Sequence, residues 1–453
     1  MLPTDFLGGV VEGFYGRPWS HNERLQLLSD ISALGLNTYF YAPKNDLKHR
    51  AIWRQSYDDR EFESIRDLVR RCDQLGMHFI YGLSPGLDIR FSDEADRNRI
   101  RLRFEQLQRA GARHFALLFD DLPGRMADED RRAYESLATA QSHVTNAVFS
   151  WVREQSAAAR LLFCPTPYCD RMDRAQHGGD GYLDEVGRLL LPEIDVLWTG
   201  PEIVSTEIPV DSIERLSTRI RRRPIIWDNL FANDYDVRRL YCGPYSGRPR
   251  ELRGAVRGIL INPNNEYPIN FIPLRTLAAF LDNDAEWKPR DAYVKALAEW
   301  LPYFQTVTHP IRLDDLTLLA DCFYLPEHEG RSAEDMMALV DRLLAEPVAD
   351  WGDAYEKFSA LNARVQALFD RLTGLRDREL FAAWSHRVWA LKEELLVVDA
   401  ALAQKKAGRD LADGVPLEIC LPGTFRGGIL SKLERFLTMD AHGMIRVPGG
   451  NMK

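Results

Sequence analysis

The sequence predicts an α/β fold: a (β/α)8 TIM barrel over residues 1–284, then an α-helical stalk or bundle domain over residues 285–453 with a glycine-containing tail. Three observations predict it. Eight short apolar runs alternate with helical patterns through roughly the first 280 residues, a number that suits a closed barrel. No G-x-G-x-x-G or Walker A signature marks the phosphate loop of an open doubly wound sheet. Beyond Asp284, strand-like runs give way to helical periodicity.

The apolar runs are residues 9–14 (GVVEGF), 37–42 (NTYFYA), 78–83 (HFIYGL), 114–119 (HFALLF), 160–164 (RLLFC), 195–199 (DVLWT), 224–227 (PIIW) and 258–261 (GILI). Each is bounded by polar, Gly or Pro residues and is apolar nearly throughout, as parallel strands buried on both faces are. Ser20 and Glu23 have capping-box spacing ahead of Leu25, Leu27, Leu28, Ile31 and Leu34, and so predict a helix start. Asp211 and Glu214 give a similar signal beside Ile213, Leu216 and Ile220. Gly35, Gly76 and Gly111 stand where helices should stop before the next strand. The helical region reads as residues 286–304, 313–325, 333–344, 354–372 and 377–405, with Gly374 between the last two.

The net charge is −9, and the one basic cluster, RIRRR at 219–223, is expected to be a solvated helix end. No nucleic-acid partner is expected. The N-terminus has neither the basic nor the apolar region of a signal peptide, and no apolar run reaches the roughly 20 residues of a membrane span. Six cysteines are too dispersed for a disulfide framework, and Cys164 and Cys169 lack the second ligand pair of a zinc site. These features predict a cytoplasmic, reduced protein that does not enter a membrane.

In a barrel the chemistry sits at the C-terminal ends of the strands. The residues there include Tyr15, Lys44, Asn45, Asp46, Asp120, Asp121, Tyr168, Trp227, Asn229, Asp234 and Asn262. The set is rich in carboxylate, amide and aromatic groups and poor in His and Cys. Amides and carboxylates match sugar hydroxyls, and aromatic faces stack on sugar C–H surfaces. A pocket for a neutral carbohydrate is the leading reading. A carboxylate-bound Mg²⁺ hydrolase and a structural role for most of these groups stand beside it. Residues 115–123, FALLFDDLP, set two aspartates together at the end of an apolar run, where they repel each other unless something binds them or uses the repulsion. Regular pleating would send the two side chains to opposite faces. The chain is therefore expected to leave strand geometry at Asp120 or Asp121.

These stretches resemble family 84 glycoside hydrolases, β-N-acetylglucosaminidases. The resemblance rests on GVVEGFYGRPW (9–19), NTYFYAPKNDLKHR (37–50), FIYGLSPGLDI (79–89), FALLFDD (115–121), FCPTPYC (163–169), VLWTGPEIVS (196–205), IIWDNLFANDYD (225–236) and INPNNE (261–266). It implies a retaining exo-β-N-acetylglucosaminidase that removes O-linked N-acetylglucosamine from protein Ser/Thr or from glycans, with no cofactor and no metal. Asp120 would orient the substrate acetamide, whose carbonyl oxygen closes an oxazoline. Asp121 would act as general acid and then base. Gly9, Lys44, Tyr168, Trp227, Asn229, Asp234 and Asn262 would bind the sugar. Asn45 stands where relatives often carry an acid. A homodimer through the helical domain is also implied.

The residues agree with that division of labour. An ordinary retaining pair flanks the bond about 5–5.5 Å apart, which neighbours on one chain are poorly placed to do. A nucleophile supplied by the substrate can reach effective molarities of about 10⁵–10⁸ M once oriented. An ionised Asp120 would raise the pKa of Asp121 and keep it an acid. Hyaluronan-type cleavage and a non-catalytic sugar-binding protein are the competing expectations.

Overall fold

The computed structural model describes residues 2–410 except 4, 123 and 283–286, together with residues 429, 433, 438–439 and 445–446. Eight parallel strands close into a barrel: β1 (Leu7–Glu12), β2 (Thr38–Tyr41), β3 (His78–Leu83), β4 (His114–Leu118), β5 (Leu161–Cys164), β6 (Asp195–Trp198), β7 (Ile225–Asp228) and β8 (Gly258–Ile261). Neighbours pair in chain order, and β1 closes on β8 with Leu7 opposite Gly258. The interior is filled by Leu7, Val11, Phe40, Ile80, Ala116, Leu118, Leu162, Leu197, Ile225 and Leu260, all buried. Two layers of apolar contact explain the unbroken hydrophobic runs: side chains fill the barrel on one face and meet the helices on the other.

The helix signals are realised in part. Ser20 caps His21–Ala33 in a reciprocal capping box with Glu23. Gly35, Gly76 and Gly111 all have positive φ after helix ends. Asp211 does not cap: the helix Val210–Ile220 begins one residue earlier, after Pro209, and Asp211 lies in its first turn. The RIRRR cluster lies at the end of this helix, with Arg221 and Arg223 exposed and Arg219 and Arg222 engaged within the fold. Arg219 bridges Asp173 and Asp184, and Arg222 donates to the carbonyls of Leu190, Leu191 and Ile194.

β1 is displaced from its predicted bounds. It starts at Leu7 and ends at Glu12, because Leu7 and Gly8 pair with β8 and extend the sheet toward the N-terminus. That puts Gly9 in mid-strand and Gly13 at the strand end.

The helical region follows the predicted segments closely: Pro289–Trp300, Leu313–Asp321, Arg331–Ala345, Ala354–Thr373 and Arg378–Lys406. The chain forms two compact units. One compact unit is Met1–Asp335 with Ala367–Val388, and the other is Met336–Gln366 with Trp389–Lys453. Packing holds the first unit together. Phe271 stacks on Trp300 at 5.7 Å, and Arg290 and Tyr293 both bind Asp321. The amides of Cys242 and Gly243 donate to the carbonyls of Phe323 and Tyr324. Trp384 is buried there against Phe323 and Trp300. In the second unit Lys405 donates to the carbonyls of Leu343, Leu344 and Glu346 and so caps the helix Arg331–Ala345. Most of the tail from 421 onward lies outside the described residues; Thr438–Met439 pairs antiparallel with Ile445–Arg446. Among the described residues no helix is long and apolar enough to cross a membrane.

Candidate active site

A cavity opens at the C-terminal ends of the strands. Gly13, Tyr15, Lys44, Asp120, Asp121 and Cys164 line one part; Tyr168, Trp227, Asn229, Asp234, Tyr235 and Asn262 line the rest. A larger, open groove lies elsewhere, among Leu2, Phe6, Leu34, Arg253 and Lys295, away from these strand ends.

β4 ends at Leu118, and Phe119 carries the chain to the aspartate pair. Asp121 has φ 55°, in the left-handed region, which Asp tolerates better than most residues. The turn is the departure from strand geometry that the sequence predicts, and it brings both carboxylates into one cavity.

The two carboxylates have different surroundings. Oδ2 of Asp120 accepts a hydrogen bond from Lys44 Nζ at 2.5 Å, and Arg50 Nη1 lies 3.8 Å away. Burial opposes its ionisation, but the Lys44 and Arg50 charges outweigh burial and hold the Asp120 carboxyl below the usual carboxylate range. Its Oδ1 is buried and receives no hydrogen bond from the described residues. Asp121 instead accepts from Tyr168 at 2.8 Å on Oδ1 and from Tyr15 at 3.0 Å on Oδ2. Burial and the Asp121 charge push both tyrosine hydroxyls up, so each remains a donor.

Lys44 pairs with Asp120 and not with its neighbour Asp46. Asp46 accepts from the hydroxyls of Tyr41 and Tyr57 and from the amides of Lys48 and His49. Trp227 projects from β7 and packs edge-on against Phe40 at 5.6 Å, while its Nε1 donates to Asn229 Oδ1. Asn262 Nδ2 donates to the same oxygen, and Asn262 Oδ1 accepts from the Gly13 amide. The two asparagines are thus locked at the cavity wall. Asp234 accepts from the Tyr15 amide on Oδ2, its Oδ1 is buried with no partner among the described residues, and burial raises its carboxyl.

Gly9 is not at the cavity. It lies within β1, where an added Cβ would come 1.9 Å from the Thr38 carbonyl oxygen, so its glycine serves strand packing. Gly13 takes the cavity position. A Cβ there would come 2.1 Å from Trp227 Cζ2, so glycine admits the indole. Arg50 and Tyr235 lie outside the predicted site set, and Tyr15, collected as a strand-end residue, was given no part in the site. Tyr15 and Tyr235 follow β1 and β7, where strand-end position was the available signal. Arg50 sits six residues past Lys44 in an irregular loop, and no periodicity points to it.

The chain is similar to known proteins in sequence and fold. A beta-N-acetylglucosaminidase family model matches residues 8–310. Protein O-GlcNAcase of Rattus norvegicus is 41% identical over 326 residues, 71% of this chain and 35% of that protein, and the Mus musculus protein matches equally. The chain thus spans about a third of the length of these curated relatives. A solved O-GlcNAc hydrolase mutant of Thermobaculum terrenum superposes with a TM-score of 0.76 at 26% identity, over 88% of this chain and 87% of that one. With its family match running from the first strand of the barrel past the last, the chain belongs to the β-N-acetylglucosaminidase family of glycoside hydrolases.

Proposed function

We propose that the chain is an exo-acting, retaining β-N-acetylglucosaminidase that removes O-linked N-acetylglucosamine from protein Ser/Thr or from glycans, with the substrate's own acetamide as nucleophile. The observation that carries this reading is the asymmetry of Asp120. Its Oδ2 is anchored by Lys44, while its buried Oδ1 has no partner among the described residues, on a side chain that lines the strand-end cavity. A buried carboxylate oxygen without a donor is costly, and a ligand N–H would satisfy it. The acetamide N–H is such a donor. Held there, the acetamide turns its carbonyl oxygen toward the anomeric carbon. That oxygen forms the C–O bond of the oxazoline as the glycosidic bond breaks.

Asp121 protonates the leaving oxygen and then takes a proton from the water that opens the oxazoline. Tyr168 and Tyr15 hold its two oxygens. Asp234, Asn229 and Asn262 bind hydroxyls and fix the ring, Tyr168 lines the acetamido pocket, and Trp227 forms its wall. Two further parts of the reading concern the whole protein: a reduced, cytoplasmic setting, in keeping with its free described cysteines, and a homodimer through the helical region, where Trp389 and Met337 are exposed.

The test compares 4-nitrophenyl glycosides of N-acetylglucosamine, of its N-trifluoroacetyl analogue and of glucose. Fluorination weakens the carbonyl as a nucleophile, so the rate should fall steeply across the first two, and the glucoside should not turn over. Equal rates on all three would overturn participation by the acetamide.

A further inference from the structure

We infer that Arg50 is the positioning residue that fixes the main chain of the Asp120–Asp121 turn and thereby aims Asp121 at the leaving oxygen. The inference rests on the proposed reaction and adds a residue to it. Arg50 is 6% exposed, in the loop after β2. Its guanidinium reaches the carbonyl oxygen of Asp120 at 3.4 Å from both terminal nitrogens and that of Asp121 at 3.2 Å. Nη1 also donates to Ser84 Oγ at 2.9 Å, and the Ser84 amide donates to the His49 carbonyl at 2.9 Å. The arginine is therefore braced at the end of β3 while it holds the end of β4.

This brace meets a specific need. Asp121 is non-glycine at φ 55°, a conformation that persists only where its surroundings impose it. Two consecutive carbonyls converging on one cation supply that imposition. The work is divided between two cations of this loop. Lys44 hydrogen-bonds the Asp120 side chain, and Arg50, whose Nη1 also lies 3.8 Å from Asp120 Oδ2, holds the backbone from which the Asp121 side chain departs. A planar fork of donors can span two carbonyls and a hydroxyl at once, whereas a lysine ammonium is a single point charge on a flexible stem. Relaxation of the turn would move Asp121 more than Asp120, whose carboxylate keeps its own anchor.

The experiment measures kcat/KM of wild type, Arg50→Lys and Ser84→Ala on two aryl β-N-acetylglucosaminides. One carries a 2,4-dinitrophenyl group, which leaves without protonation, and the other a 4-methylphenyl group, which does not. For Arg50→Lys we expect a loss of about 100-fold on the methylphenyl glycoside and under about tenfold on the dinitrophenyl one, as general-acid contributions run from about 10² to 10⁴. Ser84→Ala should show the same asymmetry, smaller, and decides the matter if Arg50→Lys does not fold. Equal losses on both substrates in an enzyme whose wild type is active would overturn the inference and leave a merely structural arginine. A wild type inactive on both would instead defeat the proposed function.

Discussion

Replacing Lys44 by Met isolates the charge that holds Asp120. The two groups lie 2.5 Å apart with side chains 3% and 11% exposed. At an effective dielectric of about 20, Coulomb's law gives roughly 6–7 kcal/mol for that separation, before desolvation is subtracted. Breaking a buried pair by removing one partner costs about 3–5 kcal/mol. The low end applies here, because Arg50 remains 3.8 Å from the same oxygen. Lys44→Met should therefore lose about 3 kcal/mol in urea unfolding at pH 7. The pH dependence follows from the sign of the shift. The Asp120 carboxyl is depressed in the folded state, so its pairing stabilises the protein above the unfolded value of 3.8 and is lost as pH falls through the folded value. The gap between wild type and variant should be full at neutral pH and narrow in acid. The proposed reaction needs Asp120 ionised, so the acid limb of kcat/KM should move to higher pH in the variant. A loss under about 1 kcal/mol with an unmoved acid limb would refute the account of this pair.

Three further outcomes are expected. Gly13→Ala places a methyl 2.1 Å from Trp227 Cζ2 and should displace the indole, raising KM for the aryl glycoside with a drop in Tm. Tyr168→Phe removes the 2.8 Å hydrogen bond to Asp121, and since Asp121 gains charge as it gives up its proton and bonds to charged groups are worth about 1.5–3 kcal/mol, kcat/KM should fall roughly 10–100-fold while a competitive N-acetylglucosamine-like inhibitor binds more nearly as before. Excess chelator should leave turnover unchanged, because Asp120 is engaged by Lys44 and Asp121 by two tyrosine hydroxyls; loss of activity restored by Mg²⁺ would oppose that reading.

The barrel was legible because its strands are buried on both faces. Runs such as 78–83 and 258–261 are uniformly apolar, and both match β3 and β8 without adjustment. Helix stops at Gly35, Gly76 and Gly111 were legible because the left-handed cap needs glycine. The strand-end rule also collected Lys44, Asp120, Asp121, Tyr168, Trp227, Asn229, Asp234 and Asn262, which the structure brings around one cavity. Other features depend on tertiary partners. The start of β1 at Leu7 is set by β8, some 250 residues away in sequence, so a local reading placed Gly9 where Gly13 belongs. Arg50 acquires its part only when the ends of β3 and β4 come beside its loop. The extent of each compact unit depends on tertiary contacts in the same way. Helical periodicity does not say which unit a helix joins: contacts such as Phe271 on Trp300 hold Pro289–Trp300 in the barrel's unit, and Arg378–Lys406 is divided after Val388.

The central claim is that Asp120 orients the acetamide and Asp121 moves the proton. It is tested most directly by Asp120→Asn and Asp121→Asn on aryl β-N-acetylglucosaminides of good and poor leaving groups. The account predicts that Asp121→Asn keeps most of its kcat/KM on the activated phenol and loses about 10²–10⁴-fold on the poor one, whereas Asp120→Asn is impaired on both. Equal sensitivity of the two variants to the leaving group would contradict it.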